Sequence, residues 1–199
     1  MTVVAVIAAG AMGASVARKL VDAGNIVLTN LDGRSDATHK RAHDAGMIHA
    51  SWTDIIQKAD MILSIVPPRD ALPFAERVLA EFQGTERANK APLVVADCNA
   101  INVSTIKRVA AVFATSPIIV VDGSIIGTPP REGYVPTFYG SADDQQGLTL
   151  FKDVLETSGI RVKTFCGDGA GIGDASALKM SYAVSISFQI VMACSRSLI

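Results

Sequence analysis

Residues 3–13 constrain the fold more than any other part of the chain. Val3-Val4-Ala5-Val6-Ile7 is a short, largely β-branched run, and Ala8-Ala9-Gly10-Ala11-Met12-Gly13 follows it directly. β-Branched residues favour extended backbone, and glycine permits a sharp turn. Helical spacing then continues over residues 12–23, and Gly24-Asn25 is a helix stop. A strand that turns into a helix in this way collects unbonded backbone N–H groups and the positive end of the helix dipole at one point. That arrangement accepts a pyrophosphate, so the segment predicts a dinucleotide-binding turn. Gly10 and Gly13 hold the second and third places of G-x-G-x-x-G, while Ala8 stands at the first. Gly10 is expected to admit the pyrophosphate, and Gly13 to let helix and strand pack closely. Ala9, Ala11 and Met12 complete the expected cofactor turn.

The same strand–helix alternation runs through the chain. Ile26–Thr29 and residues 61–66, 93–96, 118–121, 137–140 and 160–163 read as strands. Helices are expected from Ser35 or Asp36 to Ala45, and over 52–58, 70–82, 102–113 and 144–157. Pro67-Pro68 stops the strand at 61–66, and Pro73 falls in a first helical turn, where proline is tolerated. Short, fully apolar strands between helices suit a sheet covered on both faces. The expected class is α/β: a Rossmann-type doubly wound, mostly parallel sheet with right-handed crossovers. Residues 170–199 carry helix formers and apolar residues with no final glycine or proline. They predict the start of a long C-terminal helix that packs on further chain or on a partner subunit.

Composition narrows the function. The chain is 49% hydrophobic and 19% charged with net charge −1, which suits a large core. No basic cluster tracks a phosphate backbone, so nucleic acid is not expected as a partner. Cys98, Cys166 and Cys194 are far apart and odd in number, which fits a reducing, cytoplasmic setting. The opening residues are apolar and read as a strand, so no signal peptide is expected. The longest apolar run, 183–194, is interrupted by Ser185, Ser187 and Gln189. It is shorter than the roughly 20 residues of a membrane span, so no membrane partner is expected. His39 and His43 are spaced like helical zinc ligands but lack a third ligand, so no metal is expected.

The residues after the second strand bear on the cofactor. Asp32, 19 positions beyond Gly13, is placed to hold a ribose 2′-hydroxyl, which favours NAD. Arg34 and Ser35 follow, and a guanidinium with a hydroxyl beside it suits the 2′-phosphate of NADP. Asn30 opens this loop as a further cofactor contact. With Arg34 turned inward and Asp32 outward, NADP is the expected cofactor and NAD the alternative.

Four segments in order resemble the β-hydroxyacid dehydrogenase superfamily, which includes 6-phosphogluconate and 3-hydroxyisobutyrate dehydrogenases. Residues 9–13 are similar to its G-x-G-x-M-G turn. Ile62-Leu63-Ser64-Ile65-Val66-Pro67-Pro68 is similar to its strand and V-P loop. Val121-Asp122-Gly123-Ser124-Ile125-Ile126-Gly127 resembles its D-A-P-V-S-G-G substrate loop, and residues 169–180 resemble its G-x-G-x-x-x-K-M segment.

The resemblance implies an NAD(P)-binding domain over residues 1–168. Residues 169–199 would then open the interdomain helix of an all-α domain, with a homodimer forming through that helix. It implies Lys179 as general acid/base, with Ser124 beside it in catalysis. Ile65, Val66, Pro67 and Asn99 would lie against the cofactor, Asn99 under the nicotinamide ribose. Ser124, Ile126, Gly127 and Tyr182 would contact a small-molecule substrate. Two positions depart from the pattern. Ala183 stands where the family has asparagine, and the loop serine falls on Ile126, with Ser124 two residues earlier. Side chains alternate along extended chain, so Ser124 and Ile126 can share a face. With no basic cluster for a sugar phosphate, the expected activity is hydride transfer to or from a small hydroxyacid or carbonyl. The alternatives are an imine reductase and a non-catalytic NADP(H)-binding sensor.

Overall fold

The structure is a computed structural model that describes residues 1–87 and 91–196, and of residues 187–196 the backbone only. The expected end of the last helix at 197–199 and the Cys194 side chain therefore lie outside the described residues. The elements are β1 (Val3–Ile7), α1 (Ala11–Asp22), β2 (Ile26–Thr29), α2 (Asp36–Asp44), β3 (Ile48–His49), α3 (Trp52–Lys58), β4 (Met61–Ser64), α4 (Ala71–Gln83), β5 (Val94–Asp97), α5 (Val103–Phe113), β6 (Ile119–Ile126), β7 (Thr137–Ser141), α6 (Gln145–Thr157), β8 (Arg161–Thr164) and α7 (Asp174–Arg196).

One sheet holds all eight strands in the order β3-β2-β1-β4-β5-β6-β7-β8. Every pairing is parallel except β6 with β7. The order reverses at β1, which places a ligand crevice beyond the C-terminal ends of β1 and β4. Both faces of the sheet are covered. Val4 and Val6 join a core with Val16, Leu20, Phe138 and Phe151, while Ala5 and Ile7 join Ile55, Val78, Ile106 and Phe113 on the other side. The two-residue period of a strand thus buries alternate residues of β1 in different cores. Ser51, Asn102 and Asp144 cap α3, α5 and α6 by accepting from the N–H groups of Asp54, Thr105 and Gly147 at 2.9–3.0 Å. No helix among the described residues is long and apolar enough to cross a membrane.

Three departures from the sequence reading matter for the site. β4 ends at Ser64, not at residue 66, so Ile65, Val66 and Pro67 form a loop before a 3-10 turn at Pro68–Asp70. β3 is two exposed residues, too short to leave a periodic signal. β6 continues to Ile126, where the sequence reading ended it at 121. The reason is β7, which pairs antiparallel with it from Asp122↔Ser141 to Ile126↔Thr137 and draws the expected loop into the sheet.

This extension completes a polar row across four strands. Ser64 pairs with Asp97, Asp97 with Asp122, and Asp122 with Ser141, and all four residues are buried. The row lies near the C-terminal ends of β4 and β5.

Candidate active site

The glycine turn is built as its spacing predicts. Gly10 is the N-cap of α1 and has no side chain to satisfy the helix. The backbone N–H groups of Ala11, Met12 and Gly13 find no acceptor among the described residues. A Cβ on Gly13 would lie 2.0 Å from the carbonyl oxygen of Ala8, so the helix meets the strand turn at a distance only glycine allows. A Cβ on Gly10 would meet nothing within 4 Å. The chain's own packing therefore does not require glycine there, and the space above Gly10 suits the phosphate of a bound dinucleotide.

Arg41 is a member of this site that the sequence reading missed. Its Nε donates to the carbonyl of Ala9 at 3.1 Å and its Nη2 to Thr38 Oγ1 at 2.9 Å. The local signal is the i, i+3 spacing of Thr38 and Arg41 on one face of α2, continued by Ser35 at its N-cap.

In the loop after β2, the Asn30 amide faces the protein, donating to Asp32 Oδ2 at 2.8 Å and to the Ala50 carbonyl at 3.1 Å. Asp32 also has His49 beside it, with Nε2 3.6 Å from Oδ1. Ser35 is exposed and shares a hydrogen bond with Thr38. The exposed Arg34 guanidinium makes no ion pair or hydrogen bond among the described residues.

At the ends of β4 and β5, Asn99 is buried and turned inward. Its Oδ1 accepts from Val66 N–H at 2.7 Å, and its Nδ2 donates to Ser64 Oγ and Asp97 Oδ2, both at 3.0 Å. The two amide hydrogens expected to face a ribose are thus used inside the protein. Asn99 instead braces the loop of Ile65, Val66 and Pro67 against β5. Burial pushes the Asp97 carboxyl up to about 6, against the opposing pull of the Asn99 hydrogen bonds. With the folded value above the unfolded one, the native state binds the extra proton, so Asp97 lowers stability as pH rises from about 4 through 6. Asp97→Asn is expected to flatten that fall in urea unfolding between pH 4 and 8. The largest possible effect is about 3 kcal/mol, at about 1.4 kcal/mol per pKa unit.

Lys179 reaches this end of the sheet from α7. Its Nζ donates to the Ile125 carbonyl at 2.7 Å. Burial holds its pKa below the ordinary lysine value, while Cys98 and Asp97 oppose the shift. Cys98 is buried and its thiol is pushed up by that burial, so it is a core residue and not a nucleophile.

Ser124 corrects the sequence reading. It was expected on an open loop, but it pairs with Tyr139 in the sheet and is fully buried, and its Oγ has no hydrogen-bond partner. In this conformation it reaches no open space. Its strand neighbours Asp122 and Ile126 share its face by alternation. The turn begins only at Gly127, and Tyr182, one helical turn beyond Lys179, is 45% exposed. Of the expected site residues, the structure brings Lys179, Asn99 and the β4 loop to one sheet end, while Ser124 is sealed beneath it.

Residues 3–167 match the NAD binding domain of 6-phosphogluconate dehydrogenase. No curated protein matches the chain. Among solved structures it is similar to the conserved protein MTH1747 of unknown function, itself noted for structural similarity with 3-hydroxyacid dehydrogenases (27% identity, TM-score 0.74, 90% of this chain and 62% of that one). An imine reductase from Myxococcus stipitatus, a variant in complex with NAD+, shares 18% identity at a TM-score of 0.76 over 98% of this chain and 64% of its own. The 3-hydroxyisobutyrate dehydrogenase of Mycobacterium tuberculosis with L-serine shares 22% at 0.70, over 100% and 67%. The chain thus spans about two thirds of the length of these structures. Taken with the glycine turn and the strand order, the match over residues 3–167 means that the chain belongs to the family of the NAD-binding domain of 6-phosphogluconate dehydrogenase, within the β-hydroxyacid dehydrogenase superfamily.

Proposed function

We propose that the chain forms the cofactor-holding part of an NADP-preferring oxidoreductase. Its substrate class is a small hydroxyacid or carbonyl compound, with Lys179 as general acid/base. The observation that carries this reading is the half-buried Lys179 ammonium beside β6 and the end of β5, at the sheet end that also carries the glycine turn. A bound nicotinamide supplies the hydride acceptor or donor. The chain's residues supply position and proton transfer. The unpartnered N–H groups at the start of α1 hold the pyrophosphate, and the loop braced by Asn99 supports the nicotinamide end. A lysine partly removed from water releases its proton more readily, so the neutral amine takes the hydroxyl proton in oxidation. In reduction the ammonium returns a proton to the carbonyl oxygen. Ile126, Gly127 and Tyr182 are the proposed substrate contacts, with residues 1–168 as the cofactor domain and 169–199 as the start of an interdomain helix. Exposed Tyr182, Val184 and Ile186 support pairing of α7 with a second copy of the chain.

The NADP preference rests on Arg34, which is exposed and has no ion pair among the described residues, while Asp32 is held by Asn30. Arg34→Ala is expected to weaken NADPH binding by about 10- to 100-fold, the loss of one charge-assisted contact of about 1.5–3 kcal/mol. NADH binding should change less than about twofold, since only the 2′-phosphate is at stake. Calorimetric titration with the two cofactors measures both values, and equal losses would overturn the clamp. Tight NADPH binding with no turnover by the natural full-length protein would replace the enzyme reading with a sensor. Ala8 and Ala183, which depart from the family pattern, favour that sensor reading, while Tyr182, exposed one helical turn beyond Lys179, would serve as the polar group of an imine reductase. Imine turnover with no hydroxyacid oxidation would select it.

A further inference from the structure

Gly173, the residue before α7, carries no side chain to cap the helix, and the Asp174 carboxylate of its first turn accepts from Gly171 N–H at 3.0 Å. The Asp174 N–H donates to the Gly171 carbonyl at 3.3 Å, and the next two N–H groups, of Ala175 and Ser176, are satisfied from the sheet. Asp122 Oδ2 accepts from Gly173 N–H at 3.1 Å and Ser176 N–H at 3.0 Å, and Oδ1 accepts from Ser176 Oγ at 2.7 Å. Ser141 Oγ donates to Asp122 at 3.2 Å and accepts from Ala175 N–H at 3.2 Å. Asp122, Ser141 and Ser176 are all fully buried. An N-cap side chain normally comes from the residue before the helix and reaches its second or third N–H group. Here that role is taken by a strand residue more than fifty positions away.

Three residues further along β6, the Ile125 carbonyl accepts from Lys179, which lies one helical turn beyond Ser176. One strand therefore grips one helix at two points. The first sets the axial position and rotation of α7, and these decide where the Lys179 side chain emerges.

We infer that Asp122 is the positioning residue for Lys179, acting as a long-range cap whose hydrogen bonds to Gly173 and Ser176 fix the placement of the lysine Nζ against β6. This builds on the reading of Lys179 as the proton-handling group, but its test needs neither cofactor nor turnover. Ser124, whose buried Oγ has no partner, lies between the two grips on the same strand.

The test is an NMR titration of the full chain labelled with 13Cε-lysine, with the Lys179 signal assigned by its loss in Lys179→Arg. In the wild type this signal should titrate below those of the exposed lysines. Asp122→Ala should raise its midpoint toward theirs, because a released α7 lets the ammonium into water. Removing a nearby negative charge with no movement would lower the midpoint, so the sign separates repositioning from electrostatics. Asp97 and Cys98, which act on Lys179, also feel the Asp122 charge, so Asp122→Asn, which removes that charge but keeps an acceptor, is the control for any change in their ionisation. Ser176→Ala, which removes only the 2.7 Å bond, should shift it the same way by less. Asp122→Asn, which keeps one acceptor oxygen, should restore most of the wild-type value. If Asp122→Ala does not fold, these two variants decide alone. An unshifted Lys179 in folded variants that merely melt earlier would overturn the inference. NADPH affinity, measured in parallel, should be unchanged, and its failure would count against the proposed function alone.

Discussion

Lys179→Ala is expected to lower turnover by about 10²- to 10⁴-fold, the usual contribution of a positioned acid or base. The affinity for NADPH should stay within about twofold, because no hydrogen bond links Lys179 to the glycine turn. Lys179→Arg should fail to rescue, since a guanidinium stays protonated at any working pH. In the oxidative direction the rate should rise with pH as the lysine loses its proton, with a midpoint below that of an ordinary lysine. Steady-state rates on the natural full-length protein, beside calorimetry on this chain, separate the two effects. Unchanged turnover would remove Lys179 from the chemistry, and a parallel fall in cofactor affinity would make it a structural residue.

Gly10 and Gly13 are expected to respond in opposite ways to the same substitution. Gly13→Ala places a methyl group 2.0 Å from a backbone carbonyl oxygen, which no side-chain rotation can relieve. Overpacking of this kind costs about 1–3 kcal/mol or more. For a domain of this size that lowers Tm by up to about 10 °C. Gly10→Ala meets nothing within 4 Å and keeps an ordinary backbone conformation, so Tm should move by less than about 3 °C. Its cost appears on binding. The added methyl fills the space above the α1 N–H groups, and NADPH affinity should fall at least about tenfold, or about 1.4 kcal/mol. Thermal unfolding and calorimetry on the two variants test the pair. Wild-type affinity in Gly10→Ala would mean that the pyrophosphate does not sit on this turn.

The reading of Gly13 illustrates how much of the site was legible. Its role follows from three neighbours in the chain: a β-branched strand, a turn and a helix start. Each of these is specified by residues within a few positions. The same holds for the alternation of strands and helices, whereas Lys179 is singled out only by the resemblance of residues 169–180 to a family segment. Asn99 was legible as a residue of the site but not in its orientation. Whether its amide faces a ribose or the sheet depends on Ser64, Asp97 and Val66, which β4 and β5 bring together only by pairing.

Residues 121–127 mark the limit. Alone they read as a strand end and a loop. The structure makes residues 122–126 strand because β7 returns antiparallel against them, and that partner begins eleven residues after Ile126. The change seals Ser124, aligns Ser64, Asp97, Asp122 and Ser141 in one buried row, and aims Asp122 at α7. Arg41 is similar, since its contact with Ala9 exists only once α2 lies beside α1. The sequence by itself determined the strand–turn–helix that opens the chain and the doubly wound class. These depend on local propensity and on hydrophobic period, which short stretches of chain express on their own. Tertiary structure decided which polar side chains meet, because a hydrogen bond between residues some thirty to fifty positions apart depends on strand register and helix placement.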